Sequence, residues 1–265
     1  MYHQNGDTVS GEQILQVYAR GCQRRLTYIA DVSLVAYVAD WQVSLSEGQP
    51  HEIKDHSTEN FLKQVEETAS FIGEYVDLYQ IHSATFDSGV LTDSRVHKAL
   101  AECRKERGWA IGLSVSGPNQ DEILREAMKI KVDDETLFDS VQCTFNVLEQ
   151  KPGPALQAAA DSGMDIIIKE GMANGRVFQS EKLRGHAQAL SCGVDQVALA
   201  FILLQGFHPR VLSGAVTPEQ LKSNLKALHV ADMLQQDSTL LEKISKDCLV
   251  DSDQYWSDRS ALSWN

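Results

Sequence analysis

The chain has 265 residues, enough for one sizeable barrel or two small domains, and its 43% hydrophobic and 23% charged content is ordinary for a globular protein. With 24 Lys and Arg against 37 Asp and Glu, the formal charge is −13, and no Lys/Arg block interrupts it, which argues against nucleic acid or an anionic membrane as partner. An anionic cofactor needs only a few local cations and stays open. Five scattered cysteines (22, 103, 143, 192 and 248), odd in number and without a Cys-x-x-Cys, fit small apolar packing residues in a reducing, cytoplasmic setting. No metal site is expected. Residues 1–12 are polar and unlike a signal peptide. The longest apolar run, 197–204, is far short of a membrane span and reads as a buried helix.

In chain order, Ser10 is placed as the N-cap of a helix over 11–20, with Ile14, Leu15 and Tyr18 on one face. Residues 26–39 are rich in β-formers and predict a strand with a continuation. The polar stretch 41–57, with Gly48 and Pro50, predicts a loop. Residues 58–73 are amphipathic through Phe61, Leu62, Val65 and Ile72, and predict a helix. From there strands at 78–81, 110–114, 140–145, 165–169 and 210–213 alternate with helices at 94–107, 119–130, 154–162, 179–191, 195–205 and 218–230. Gly108, Gly163 and Gly206 stand where helix C-caps are expected. A further helix covers 237–248, and the tail 255–265 carries Trp256 and Trp264, which fit a cover for the barrel wall better than a lining of its mouth.

Regular βα alternation gives a parallel sheet with helices outside. No Gly-x-Gly-x-x-Gly follows an early strand, so a Rossmann half is set aside and a (β/α)8 barrel is preferred. The expected organisation is one partial barrel domain over 1–265, with a C-terminal helix and tail at 232–265. The segment Tyr75-Val-Asp-Leu-Tyr-Gln-Ile-His82 ends on His82 at the strand terminus, the face of a barrel on which catalytic side chains are mounted. An isolated His there is by itself more often a structural residue.

Five segments together resemble the aldo-keto reductases: 75–82, Ile-Gly-Leu-Ser-Val-Ser (111–116), Val-Gln-Cys-Thr-Phe-Asn (141–146), Lys-Glu-Gly-Met-Ala-Asn-Gly-Arg (169–176) and Ser-Gly-Ala-Val-Thr-Pro-Glu-Gln-Leu-Lys-Ser-Asn (213–224). They look like the family's fourth to eighth barrel strands and their loops, in order. The resemblance implies a TIM barrel that transfers hydride from NADPH, with NAD as the alternative, to a small aldehyde or ketone. It implies His82 as the group orienting the carbonyl and Tyr2 as the proton donor. The family's lysine, which lowers the tyrosine's pKa, matches Val32, with Asp31 beside it and Lys54 the first lysine of the chain; its partner aspartate would precede Met1.

For the cofactor, the resemblance implies Ser114, Ser116 and Gln142 on the nicotinamide carboxamide. Lys169 stands near the position that is often a stacking Tyr. Gly171, Asn174, Gly175 and Arg176 form the pyrophosphate loop. Ser213, Gly214, Ala215, Gln220 and Asn224 hold the adenosine phosphate and adenine, with Arg210 and Lys222 as added charge. Six strands are counted where a closed barrel has eight. Either a longer form begins with two further βα units, or 1–24 or a partner closes the barrel, so an oligomer is open. In the chain as it stands, reductase activity is expected to be weak or absent; the alternative is a non-catalytic nucleotide-binding barrel acting as partner or sensor.

Overall fold

The structure, a computed structural model, describes residues 55–262, and before them the backbone of Tyr2–Gln4, Asp7–Val9, Ile29–Ala30, Val35–Ala36 and Ile53–Lys54. The expected helix at 11–20, Val32, Trp264 and the side chains of Tyr2 and Lys54 lie outside the described residues.

Twelve strand segments are described: β1 (Tyr2–Gln4), β2 (Asp7–Val9), β3 (Ile29–Ala30), β4 (Val35–Ala36), β5 (Ile53–Lys54), β6 (Leu78–Ala84), β7 (Ala110–Val115), β8 (Lys131–Val132), β9 (Glu135–Thr136), β10 (Ser140–Thr144), β11 (Asp165–Lys169) and β12 (Arg210–Val211). Six form one sheet in the order β12-β11-β10-β7-β6-β3, every pair parallel. These are the six segments counted in the sequence, in barrel order. The α/β architecture is that of a (β/α)8 barrel, of which the described residues supply six parallel strands.

The structure differs from expectation in several places. Residues 26–39 do not form one extended strand: β3 joins the sheet, whereas β4 pairs antiparallel with β5, inside the stretch expected to be loop. Lys131 to Thr136 form a small hairpin, with Asp133 and Asp134 at φ 52° and 68° in its turn, a geometry that short polar side chains tolerate best.

The helices are α1 (Thr58–Ile72), α2 (Ser94–Arg107), α3 (Gln120–Ala127), α4 (Gly153–Asp161), α5 (Glu181–Ala189), α6 (Val194–Leu203), α7 (Pro218–Leu225), α8 (Ala227–Gln235), α9 (Ser238–Cys248) and α10 (Ser252–Ser260). Their ends follow local chemistry. Ser57 Oγ accepts from Asn60 N–H at 3.2 Å to start α1, and Asp93 Oδ1 accepts from Arg95 N–H at 2.9 Å to start α2. Gly108 at φ 72° ends α2, and Gly163 at φ 93° follows α4. Gly206 is not a C-cap, because α6 ends at the Leu204 cap; its lack of a side chain instead makes room for Gln157, whose Oε1 a Cβ would meet at 2.8 Å. The helix expected over 218–230 is two, tightened at Lys226, whose N–H bonds the Ser223 carbonyl at 3.0 Å, and the second runs past the expected end to Gln235. The tail begins within α10.

Strand alternation sorts the barrel's two faces. Tyr79, Ile81, Ile111, Leu113, Val141, Cys143, Ile166 and Ile168 lie in the apolar layer under the helices, joined by Leu100, Leu124, Leu156 and the run Val197 to Ile202 of α6. Each fully buried Leu or Ile contributes about 2–3 kcal/mol relative to exposure. Tyr79 stacks on Trp109 with ring centres 5.8 Å apart, and Phe61 meets it edge-on. No single helix among the described residues is long and apolar enough to cross a membrane.

Candidate active site

The opposite face of the sheet is polar. Gln80, Gly112 and Ser140 stand side by side in register, as do Ser114 and Gln142, and then Thr144 and Lys169. A Cβ on Gly112 would lie 2.3 Å from Ser140 Oγ and 3.1 Å from Gln80 Cγ, so this glycine is what lets the two polar side chains share the floor. All but Lys169 of these side-chain-bearing residues are buried.

β6 runs past its expected end at Ile81. Its register with β7 breaks between Ile81 and Ala84, where Ser83 adopts φ 51°. A bulge of this kind re-aims a side chain at a strand end. It falls at His82, which is half-buried and whose carbonyl accepts from His56 Nε2 at 3.0 Å. With Ile81 opposite Leu113 and Ala84 opposite Val115, His82 and Ser83 both fall across from Ser114.

Lys169 ends β11, crosses the end of β10, and donates from Nζ to Ser114 Oγ at 2.9 Å and Ser116 Oγ at 2.6 Å. The structure thus brings together three residues expected at the nicotinamide end, with the buried Gln142 on the strand between them. Thr144, level with Lys169, has a buried hydroxyl without a hydrogen-bond partner, as do both amide atoms of Gln80 and the hydroxyl of Ser140. Thr144 was missed from the sequence. Its spacing of two from Gln142 was the signal.

The loop after β11 turns through left-handed backbone at Glu170 (φ 55°), Ala173 (φ 49°), Asn174 (φ 54°) and Gly175 (φ 85°). Gly171 presses on α6, where a Cβ would sit 3.0 Å from Ile202 Cδ1. Its neighbours are held from α10. Glu170 receives a forked ion pair from Arg259, with Nη2 to Oε1 at 2.6 Å and Nε to the two oxygens at 3.0 and 3.1 Å. Arg176 donates to the Tyr255 carbonyl at 2.9 Å with its guanidinium 4.0 Å over the Tyr255 ring, so it is turned toward α10. Asn146 Nδ2 donates to the Tyr255 hydroxyl at 2.9 Å and the Glu170 carbonyl at 3.0 Å. Burial pushes the Tyr255 phenol up to about 12, with Glu170 adding to the shift. Tyr255 and Trp256 are buried, so both belong to the wall. Asn146, Tyr255 and Arg259 carried no motif in the sequence.

Residues 213–224 are bonded largely to one another. Asn224 Nδ2 donates to the Ser213 carbonyl at 3.1 Å, Ser213 Oγ accepts from Ala215 N–H at 3.3 Å, and Gln220 Oε1 accepts from Val216 N–H at 2.8 Å. Gly214 turns at φ 63°, and α7 follows from Pro218 with Thr217 as its cap. Arg210 stands apart from this segment's helix start. It opens β12 and pairs at 3.2 Å with Asp165, which opens β11, so it sits at the strand ends opposite Lys169.

The fold is that of a (β/α)-barrel protein, an architecture that mounts functional groups at the C-terminal strand ends. The sequence profile of the aldo/keto reductase family matches residues 38–246, and the chain belongs to that family of oxidoreductases. Among solved structures, it is similar to the holo form of aldo-keto reductase AKR11C1 from Bacillus halodurans, at 18% identity and a TM-score of 0.58, over 76% of this chain and 72% of that one. It is similar to a putative 2,5-diketo-D-gluconic acid reductase B at 23% identity and a TM-score of 0.57, over 74% of this chain and 64% of that one. A third, the thermostable aldo-keto reductase Tm1743 in complex with the inhibitor epalrestat, gives 19% identity and a TM-score of 0.53, over 71% and 66%. At these identities the likeness is one of fold. No match is found among curated proteins.

Proposed function

We propose that the protein reduces a small aldehyde or ketone with hydride from NADPH, with NADH the less favoured donor. The observation that carries this reading is the convergence of Lys169, Ser114 and Ser116 at the strand ends, beside the buried Gln142. Hydroxyl and amide groups of this kind suit a carboxamide, which needs both donors and acceptors. The orphaned Thr144 hydroxyl in the same layer supports a polar ligand there.

In this reading Ser114, Ser116 and Gln142 hold the carboxamide. The backbone of Gly171, Asn174 and Gly175 faces the pyrophosphate, and the turn at Ser213 to Ala215 with the start of α7 near Gln220 and Asn224 faces the adenosine phosphate. Amides at a helix N-terminus favour such an anion. When bound, the reduced nicotinamide supplies the hydride. His82 hydrogen-bonds the carbonyl oxygen and polarises it. Lys169 adds positive potential where negative charge builds on that oxygen. Tyr2 is the proposed proton donor, and as a free Tyr titrates near about 10, it needs a neighbouring cation to act near neutrality. The free cysteines at 103, 143, 192 and 248 suit a cytoplasmic enzyme.

The test is NADPH consumption against a panel of aldehydes and ketones. His82→Ala should lower the rate by about 10²-fold or more. Equal rates for parent and variant would remove His82 from the mechanism. Saturable NADPH binding without turnover of any carbonyl would favour a non-catalytic nucleotide-binding barrel.

A further inference from the structure

The loop after β11 keeps three non-glycine residues, Glu170, Ala173 and Asn174, in left-handed backbone. Side chains are disfavoured there and persist only where the surroundings hold them. Two of the three have their carbonyls held by a side chain. Asn146 Nδ2 donates to the Glu170 carbonyl at 3.0 Å, and Arg176 Nε donates to the Ala173 carbonyl at 3.0 Å. Both of those side chains are seated on one residue of α10. The Tyr255 hydroxyl accepts from Asn146, its carbonyl accepts from Arg176 Nη1, and its ring lies against the Arg176 guanidinium. Tyr255 is buried, so the seat is fixed. One turn along the same helix, Arg259 forks onto the Glu170 carboxylate.

The proposed function aims the backbone of Gly171, Asn174 and Gly175 at the pyrophosphate and gives the cofactor nothing from α10. We propose that α10 sets this loop in its binding shape, with Tyr255 and Arg259 as positioning residues for the dinucleotide. The inference rests on the nicotinamide reading and deepens it. Arg176 then serves as a bolt between loop and helix. A loop already in its bound shape spares the ligand the cost of ordering it. Apparent affinity scales with the fraction of molecules in the competent shape, so a loop that keeps it about a tenth of the time binds about tenfold more weakly. The effect is confined to ligands that reach this loop. Residues 213–224 keep their shape through bonds of their own, Asn224 to Ser213 and Gln220 to Val216.

Dissociation constants for NADPH and for adenosine 2′-phosphate, which lacks the pyrophosphate, are measured by titration calorimetry on the parent and Arg259→Met, with folding checked by circular dichroism. Arg259→Met should bind NADPH about tenfold more weakly and adenosine 2′-phosphate as tightly as the parent does. NADPH affinity equal to the parent's, or a loss shared equally by adenosine 2′-phosphate, overturns the inference and leaves the nicotinamide reading in place. A folded parent that leaves either ligand unbound overturns that reading and the inference with it. Should Arg259→Met fail to fold, Tyr255→Phe, which removes only the hydroxyl that Asn146 bonds, serves for the same comparison.

Discussion

The forked pair between Glu170 and Arg259 ties α10 to the loop after β11, and removing it should loosen both. Glu170 is 12% exposed and Arg259 35%, so the pair sits between the surface and buried regimes. Exposed pairs contribute about 0–1 kcal/mol and breaking a buried one costs about 3–5, which puts Arg259→Met near ~2 kcal/mol. The guanidinium also lies 5.4 Å over the Trp256 ring, a contact worth about 0.5 kcal/mol more at this exposure. The variant strands a nearly buried carboxylate, whereas Glu170→Gln leaves a neutral amide and should cost about 1 kcal/mol. Urea unfolding of both single variants and the double variant closes the cycle, and the account expects a coupling of about 1.5 kcal/mol. A coupling below about 0.5 kcal/mol would show that the fork does not hold the helix down.

Gly112→Ala should destabilise by about 1–3 kcal/mol, because its Cβ would meet Ser140 Oγ at 2.3 Å; adding Ser140→Ala should restore part of the loss in a thermal melt, and no restoration would place the strain elsewhere. Burial raises the Glu149 carboxyl above its ordinary value, with Ser252 and the Lys151 N–H pulling less strongly the other way. The folded state therefore prefers the protonated acid. The stability Glu149 lends is full below the ordinary carboxylate range and is lost as pH rises through the raised value. Glu149→Gln should accordingly be more heat-stable than the parent at neutral pH, and the gap should close as pH falls toward about 4.5, the ordinary carboxylate value. A gap that widens on acidification would contradict the assignment.

Much of the barrel was legible because parallel strands buried under helices have a plain signature. The Ile-rich 165–169 segment and the β-former and glycine punctuation around 110–115 read directly as strands. β4 and β5 were hidden: two residues each, in a polar stretch, they offer no period to detect. α10 was hidden because its buried face is only Tyr255 and Trp256, in an otherwise polar segment. At the mouth, the strand end pointed to His82, and the resemblance to the aldo-keto reductases to Ser114, Gln142 and Lys169. What no local pattern could show was where Lys169 reaches. Its bonds to Ser114 and Ser116 span more than fifty residues and depend on β10 lying between β7 and β11. Arg176 illustrates the converse. A loop arginine beside glycines suggests a phosphate, yet α10 supplies an aromatic face and a carbonyl that engage it.

The central claim is that the polar ends of β7, β10 and β11 receive a nicotinamide. Gln142 tests it most directly, since it is buried at that place and none of the helix or loop anchors depends on it. Fluorescence titration with NADPH should show saturable one-site binding to the parent and about tenfold or weaker binding to Gln142→Leu, the loss of two hydrogen bonds from a buried amide. Equal affinity in a folded Gln142→Leu would contradict it.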